Sequence, residues 1–512
     1  MTPLHWTILS AAAGLAAAGV TAWRPLVPGR RWPLWLVAVA AVAFVVHLAL
    51  GWWHGVPEPR VHDEFSYLLA ADTFAHGRLA NPTPPAWPAL QSFHVLMVPA
   101  YASKYPPGQG LMLALGQVTT GMPIVGAWLA AAALAAAGGW AVAGLLRPAW
   151  GIGAAVLLAL HPQAVEWAQT YWGGTLSAIG GALVLGGWAR ASTADGRAAG
   201  VAVGLGLGVL LNTRPYEGMA AAAPFVVHLL LRRRRAALVA AVALLPVLIL
   251  TGSYDARVTG RAWQLPYAAY EQQYAAAPPL LVQSPRPVPP GVPASMRDYA
   301  VAVELPHYAA QRTVRGFLTS VAGKLAMLGR ATLPSPWLWP LAVAIPWAVA
   351  ADRRLSVVAM SLVTTVAATL LSNWTRTQYV APATVMAAVL LAAAAARLPA
   401  WIGRPLWAAA VVGTGMLAFA PAVPGPRFQR SQLAASLDRE PGRQLVLVTY
   451  GPDHRPDDEW VYNDADPAAA KVVWARADVL SEADVRAAYP GRTVWHLDVT
   501  ASAATVHRDE TR

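Results

Sequence analysis

The sequence predicts an all-α polytopic membrane protein closed by a small C-terminal α/β domain, and three observations carry that prediction. Apolar runs of roughly 17–20 residues recur along most of the chain, long enough to cross a hydrocarbon core of roughly 30 Å. Hydrophobic residues fill 56% of the 512 positions and charged residues only 12%, far more apolar sequence than one soluble core requires. Arginines gather in the short segments between the runs, as they do in cytoplasmic loops. A transmembrane barrel would show alternating segments of about ten residues instead.

Taken in order, the first apolar run, about 5–21, ends at Arg24, Arg30 and Arg31, which the charge rule makes cytoplasmic. It lacks the basic leading segment of a signal peptide. A span near 33–51 then opens a first outer loop over 52–107. The apolar piece 108–120 reads as a re-entrant or interfacial helix, because a full crossing there would break the alternation of sides. Spans near 122–146, 149–165, 173–190, 199–211 and 218–231 follow, the last ending at Arg232, Arg233, Arg234 and Arg235, the strongest cytoplasmic marker. A span near 236–252 leads to a long outer loop, 253–330, rich in Pro, Tyr and Gln. Spans near 333–351, 355–371, 380–396 and 405–422 complete about twelve, with both termini outside and a transmembrane domain over 1–423.

The tail, 424–512, has ordinary charge and short apolar runs at Gln444–Tyr450, Lys471–Arg476 and Thr493–Val499. A helical stretch, Ser481–Tyr489, separates the last two, so part of the sheet is expected to be parallel. The topology puts this domain on the extracytoplasmic side. Within it, Asp453, His454, Asp457, Asp458 and Glu459 resemble a metal cluster only in composition, and a solvated loop is the better reading.

Composition also excludes. With no cysteine, disulfides, thiolate metal sites and cysteine nucleophiles are out. The net charge of +12 lies mainly in inter-helix arginines, which is a topological signal and implies no nucleic-acid partner. Many of the 23 tryptophans sit near span ends, where interfacial anchors belong.

The chemistry concentrates in the first outer loop. His62, Asp63 and Glu64 stand outside the first long span, ahead of a stretch with helical spacing that stops at Gly77. A helix cap by Asp63 is one reading. A carboxylate that takes a proton from a hydroxyl, or holds a divalent cation against a phosphate, is the other. His94 with Glu64 or His62 is a candidate metal pair, against an ordinary hydrogen-bonded loop histidine. Lys104, one of only three lysines, precedes Tyr105-Pro106-Pro107 and suits either a lipid phosphate or an interfacial ammonium.

Further along, Arg214, Tyr216 and Glu217 lie between two short apolar runs, where ionisable residues face a cavity or pair with one another. Glu166, beside Trp167, and Asn373, Arg376 and Tyr379 occupy two more outer loops, and Arg376 is a candidate for neutralising a phosphate.

In their order these residues resemble the bacterial integral-membrane glycosyltransferases of the GT-C fold, related to the protein O-mannosyltransferases and the lipid A aminoarabinose transferases. The resemblance rests on His62-Asp63-Glu64-Phe65-Ser66-Tyr67 and its continuation to Leu79, then Lys104-Tyr105-Pro106-Pro107-Gly108, Tyr379-Val380-Ala381-Pro382 and Glu459-Trp460-Val461-Tyr462-Asn463. It covers about 33–422, with the tail as a subgroup feature. It departs from the family in an extra leading apolar run and in the lack of an alignable second carboxylate motif.

The resemblance implies a polyprenyl-phosphate-linked sugar donor and an envelope glycan, lipid or protein acceptor at the outer face of the bacterial cytoplasmic membrane. It implies Asp63 as general base with Glu64 beside it, or an Asp63 that organises a divalent metal. Lys104 with Arg214 or Arg376 would hold the donor phosphate. His62, Tyr105, Glu166, Tyr216, Glu217 and Tyr379 would line the substrate site, and Glu64 and His94 would be metal ligands. A transporter or flippase for a polar or lipid-linked solute is the rival reading, but paired interrupted spans in corresponding halves are not seen.

Overall fold

The computed structural model describes residues 31–191, 196–420, 429–455 and 459–509, with Gly14. The expected first span, about 5–21, and Asp457 and Asp458 of the tail lie outside the described residues. The chain divides into two units, the first made of Met1–Pro57, Ile124–Leu250 and Arg315–Ala422, the second of Glu58–Pro123, Thr251–Val314 and Val423–Arg512.

The first unit is built of apolar helices. Among the described residues five helices are long and apolar enough to cross a membrane: Trp32–His54, Ile124–Val142, Arg234–Thr259, Arg353–Leu370 and Thr377–Arg397. The bent pair Pro148–Leu160 and Pro162–Ala168 makes a sixth if counted as one span. Length and composition thus pick out part of the expected twelve, whose first lies outside the described residues. Breaks in the helices divide two of the others. The stretch near 149–165 bends by 54° ahead of Pro162, which has no N–H to continue the ladder. That near 333–351 splits into Leu338–Val343 and Ile345–Ala351, with Pro346 opening the second piece.

Lipid-type surface is plain on this unit. Trp32–His54 exposes Leu34, Trp35, Val37, Val42 and Val45, and Arg234–Thr259 exposes Leu238, Val242, Leu245, Ile249 and Leu250. Apolar faces of that extent belong against lipid rather than water. Inside, small residues let backbones meet: a Cβ on Gly181 would lie 1.9 Å from the Pro382 carbonyl oxygen. The protein is a multi-pass membrane protein.

The second unit gathers loops and tail. It contains the His62–Ala75 helix, a short hairpin of β1 (Val95–Leu96) and β2 (Ala102–Ser103), and the Pro107–Thr120 helix. At 14 residues that last helix is about 21 Å long, short of a crossing. It exposes Leu111, Leu115 and Val118 along one side. The expected long loop 253–330 is more ordered than its composition suggests. One helix runs on to Thr259 and another begins at Val314; between them lie Pro266–Tyr274 and a helix from Ala294 to Gln311. That helix carries a π-turn at Ala300–Glu304, where the Leu305 N–H reaches back to Ala300 and Pro306 has no N–H to give.

The tail forms a four-stranded sheet of β3 (Arg443–Tyr450), β4 (Val472–Arg476), β5 (Arg492–Val499) and β6 (Ala504–Arg508), in the order β4-β3-β5-β6. Strand β3 is parallel to both neighbours and β6 antiparallel to β5. Leu445 to Val448 are buried in succession, as in a strand covered on both faces. The Glu482–Ala488 helix starts from Ser481, whose side chain accepts the Asp484 N–H.

Candidate active site

The second unit brings together residues far apart in sequence. The N-cap of the His62–Ala75 helix is Val61, with no side-chain cap, so Asp63 is not the cap. Its carboxylate is a third exposed, at 33%. It accepts the Tyr105 hydroxyl and lies 3.4 Å from His94 Nδ1. The Tyr105 oxygen is itself 3.1 Å from the same nitrogen, and Tyr67 stacks on the Tyr105 ring at 4.4 Å. Glu64 turns elsewhere: buried, it accepts the Arg60 N–H at 2.7 Å.

The hairpin explains the meeting. Val95 of β1 pairs with Ser103 of β2, so the residue before one strand sits beside the residues after the other. His94 therefore faces Lys104 and Tyr105. Its φ of +63° is uncommon for a side-chain-bearing residue, and its carbonyl is fixed by Ser66 Oγ at 2.6 Å and the Lys104 N–H at 3.1 Å. The His62 ring packs 4.7 Å from Phe93 and 5.1 Å from His94.

The charges follow from these contacts. Burial, then repulsion from Lys104, pushes His94 down to about 3, so it is neutral near pH 7. Burial alone would raise Asp63, but His94, His62 and the Tyr105 hydroxyl together hold it below the usual carboxylate range. Burial and the Asp63 charge push the Tyr105 phenol well above its ordinary value. The site thus presents an ionised carboxylate held by a neutral imidazole and a phenol.

Beside it, Lys104 is buried with its ammonium 3.7 Å from Glu271 and 4.6 and 4.5 Å from the Tyr267 and Tyr270 rings. Burial raises Glu271 despite Lys104 and Arg286. Burial likewise raises Glu304 to about 7, with Lys104 opposing and Glu271 adding to the shift. One ammonium therefore faces two carboxylates that hold their protons unusually well.

The remaining candidates belong to the first unit. Arg214 pairs with Glu217 at 3.7 Å and lies over the Tyr379 ring at 4.5 Å, and Tyr216 donates to the Ala368 carbonyl at 3.2 Å. Arg376 sits 5.6 Å over Trp172, and Glu166 lies in the Pro162–Ala168 helix.

No protein-family model matches this chain. No curated protein matches it either. Solved structures do. ArnT from Cupriavidus metallidurans in the apo state superposes with a TM-score of 0.52 at 14% identity, over 92% of this chain and 93% of that one. The Archaeoglobus fulgidus oligosaccharyltransferase in complex with Zn and sulfate gives 0.52 at 12% identity, over 90% and 67%. The fold is GT-C.

The same oligosaccharyltransferase, tethered to an acceptor peptide containing the NVT sequon, gives 0.50 at 11% identity over 82% of this chain, which spans 62% of its length. At such identities the GT-C likeness speaks for backbone arrangement, and the chemistry has to be argued from the residues. Among the described residues, one group of three ligand-type side chains lies close enough to share an ion, Glu482, His496 and Asp509. There Arg486 already pairs with both Glu482 and Asp509, so a guanidinium holds the cation's place.

Sequence reasoning missed Glu271, Glu304, Tyr267 and Tyr270. A signal existed for three of them, since Tyr267, Tyr270, Glu271 and Tyr274 fall at helical spacing in an otherwise irregular segment. Nothing local marked Glu304.

Proposed function

We propose that this GT-C protein is a glycosyltransferase that moves a sugar from a polyprenyl-phosphate-linked donor to an envelope glycan, lipid or protein acceptor. It would work at the outer face of a bacterial cytoplasmic membrane, with the C-terminal domain on that side. The observation that carries this reading is Asp63, an ionised and part-exposed carboxylate held by Tyr105 and His94. The acceptor hydroxyl oxygen bonds to the anomeric carbon as the carbon–phosphate-oxygen bond breaks. The lipid phosphate leaves with the electron pair, and Asp63 takes the hydroxyl proton. A carboxylate this acidic takes that proton late, once the new bond has made the hydroxyl acidic. Before then its charge offsets positive charge growing on the sugar.

Lys104 would steady the leaving phosphate, in competition with Glu271, and Arg214 and Arg376 stay separate phosphate candidates of the first unit. Glu64 is read as supporting the helix start, and His62, Tyr216, Glu217, Glu166 and Tyr379 as substrate-lining.

Mass spectrometry of polyprenyl-phosphate sugars and envelope glycans tests the reading in strains with and without the protein. Loss of one substituent with build-up of its lipid-linked donor supports transfer. Unchanged pools in both fractions refute it.

A further inference from the structure

The tail sheet carries a buried arginine at the carboxyl end of its parallel strands. Open α/β sheets bind ligands outside the carboxyl ends of their parallel strands, where successive connections leave in opposite directions. Here β3 is flanked by β4 and β5, and the last residues of β3 and β4 are Tyr450 and Arg476. Arg476, with 0% exposure, donates from Nε to the Gln91 carbonyl at 2.9 Å and from Nη1 to Ser295 Oγ at 2.7 Å. Its third arm pairs with Glu459, which also accepts the Tyr450 hydroxyl and the Trp460 and Val461 N–H groups. The carboxyl ends of β3 and β4 are thus tied through Arg476 to Gln91 and Ser295 of this chain's own loops.

The grip is made at one short turn. Gln91 lies three residues before His94, whose backbone is in the left-handed region and whose carbonyl takes the Lys104 N–H. Other bonds run the same way: Tyr101 donates to the Asn463 carbonyl at 2.9 Å, Phe65 stacks on Tyr462 at 4.0 Å, and Asp72 accepts the Ala465 N–H at 2.8 Å. An arginine that forms hydrogen bonds from all three nitrogens, one of them to a carboxylate, is a rigid fork that resists displacement.

We propose that the C-terminal domain is the positioning device of the candidate active site, with Arg476 holding the Gln91 carbonyl and so the turn that sets His94 against Asp63. This rests on the reading of Asp63 as the reacting carboxylate. Arg476 touches no substrate; it is a positioning residue acting through the 91–94 turn.

The test is backbone hydrogen exchange on the full-length protein in lipid nanodiscs, comparing wild type with Arg476→Lys and Ser295→Ala. The Lys104 amide, bonded to the His94 carbonyl, reports the turn, and the Val446 and Val448 amides report the tail sheet. Arg476→Lys keeps a charge for Glu459 but loses the fork, so Lys104 exchange should rise roughly tenfold or more with the β3 amides unchanged. Ser295→Ala, which removes one bond from a part-exposed residue, should move Lys104 in the same direction by less and carries the test if Arg476→Lys does not fold. The reactivity of His94 toward diethylpyrocarbonate should rise in parallel. Lys104 exchange that stays at wild-type rates, or that rises only together with the β3 amides, overturns the proposal. Exchange needs no donor or acceptor, so its failure leaves the transfer reading standing, and a failure of transfer does not alter what exchange reports.

Discussion

The Tyr105 hydroxyl donates to the Asp63 carboxylate across a separation of 42 residues, with His94 Nδ1 within 3.4 Å of the same oxygen. The bond favours the ionised form of Asp63 and orients it, because a phenol pushed far above its ordinary range by burial and by Asp63 stays a donor at any working pH. A hairpin of two residues per strand creates this relationship.

Tyr105→Phe keeps the ring that stacks on Tyr67 and removes only the donor. Asp63 then loses a bond to its charged form and its proton affinity rises. Activity that needs ionised Asp63 should lose its acid limb at a higher pH than wild type, with turnover down roughly tenfold or more. A pH–rate profile of both proteins checks this, and superimposable acid limbs would contradict it.

Glu304 carries the second pH effect. Its value near 7 lies above the ordinary 4.5, so the proton it binds more tightly in the folded protein contributes stability below the ordinary value. That contribution is lost as pH rises through about 7. Above it, Lys104 faces Glu304 and Glu271 both more ionised, and an anionic lipid phosphate must compete with them. On the proposed reading, a polyprenyl phosphate should therefore bind more weakly as pH rises through about 7, while Glu304→Gln should flatten that dependence. Binding to protein in nanodiscs across that range reads it directly.

The tail offers a stability prediction. Arg476 and Glu459 are buried at 0% and 2% exposure, and Glu459→Gln leaves a buried guanidinium without its counter-charge. Breaking such a pair costs about 3–5 kcal/mol. Thermal unfolding followed through tail tryptophans such as Trp460 and Trp474 should show a much earlier transition in the variant. A matching curve would mean the guanidinium finds other partners.

Local patterns made the tail legible: the alternating and short apolar runs marked β3, β4 and β5 within a residue or two, and Ser481 marked the helix between the last two. Strand β6 and the Gln429–Arg439 helix had weaker apolar patterns and were missed. Asp63 and Lys104 stood out as charges beside long apolar runs. His94 and Tyr105 were named too, but not as partners of Asp63, and Glu271 was not named, because such meetings arise through hairpin register and chain reversal, neither of which leaves a spacing in the sequence. Among the described residues, the expected spans are legible only in part for a related reason. Apolar length was visible, but where Pro162 and Pro346 interrupt a helix decides whether a run is one span.

Asp63 is the centre of the account, and one comparison tests it most directly. Strains lacking the protein are complemented at matched expression with wild type or Asp63→Asn, and their envelope glycans and polyprenyl-phosphate sugars are measured by mass spectrometry. Asn keeps the shape and an oxygen that accepts the Tyr105 hydroxyl, but it cannot take the proton. The account predicts that wild type restores the missing substituent and clears the lipid-linked donor, while Asp63→Asn folds, inserts and restores neither. Full restoration by Asp63→Asn would contradict it, leaving Asp63 a structural partner of Tyr105 and His94.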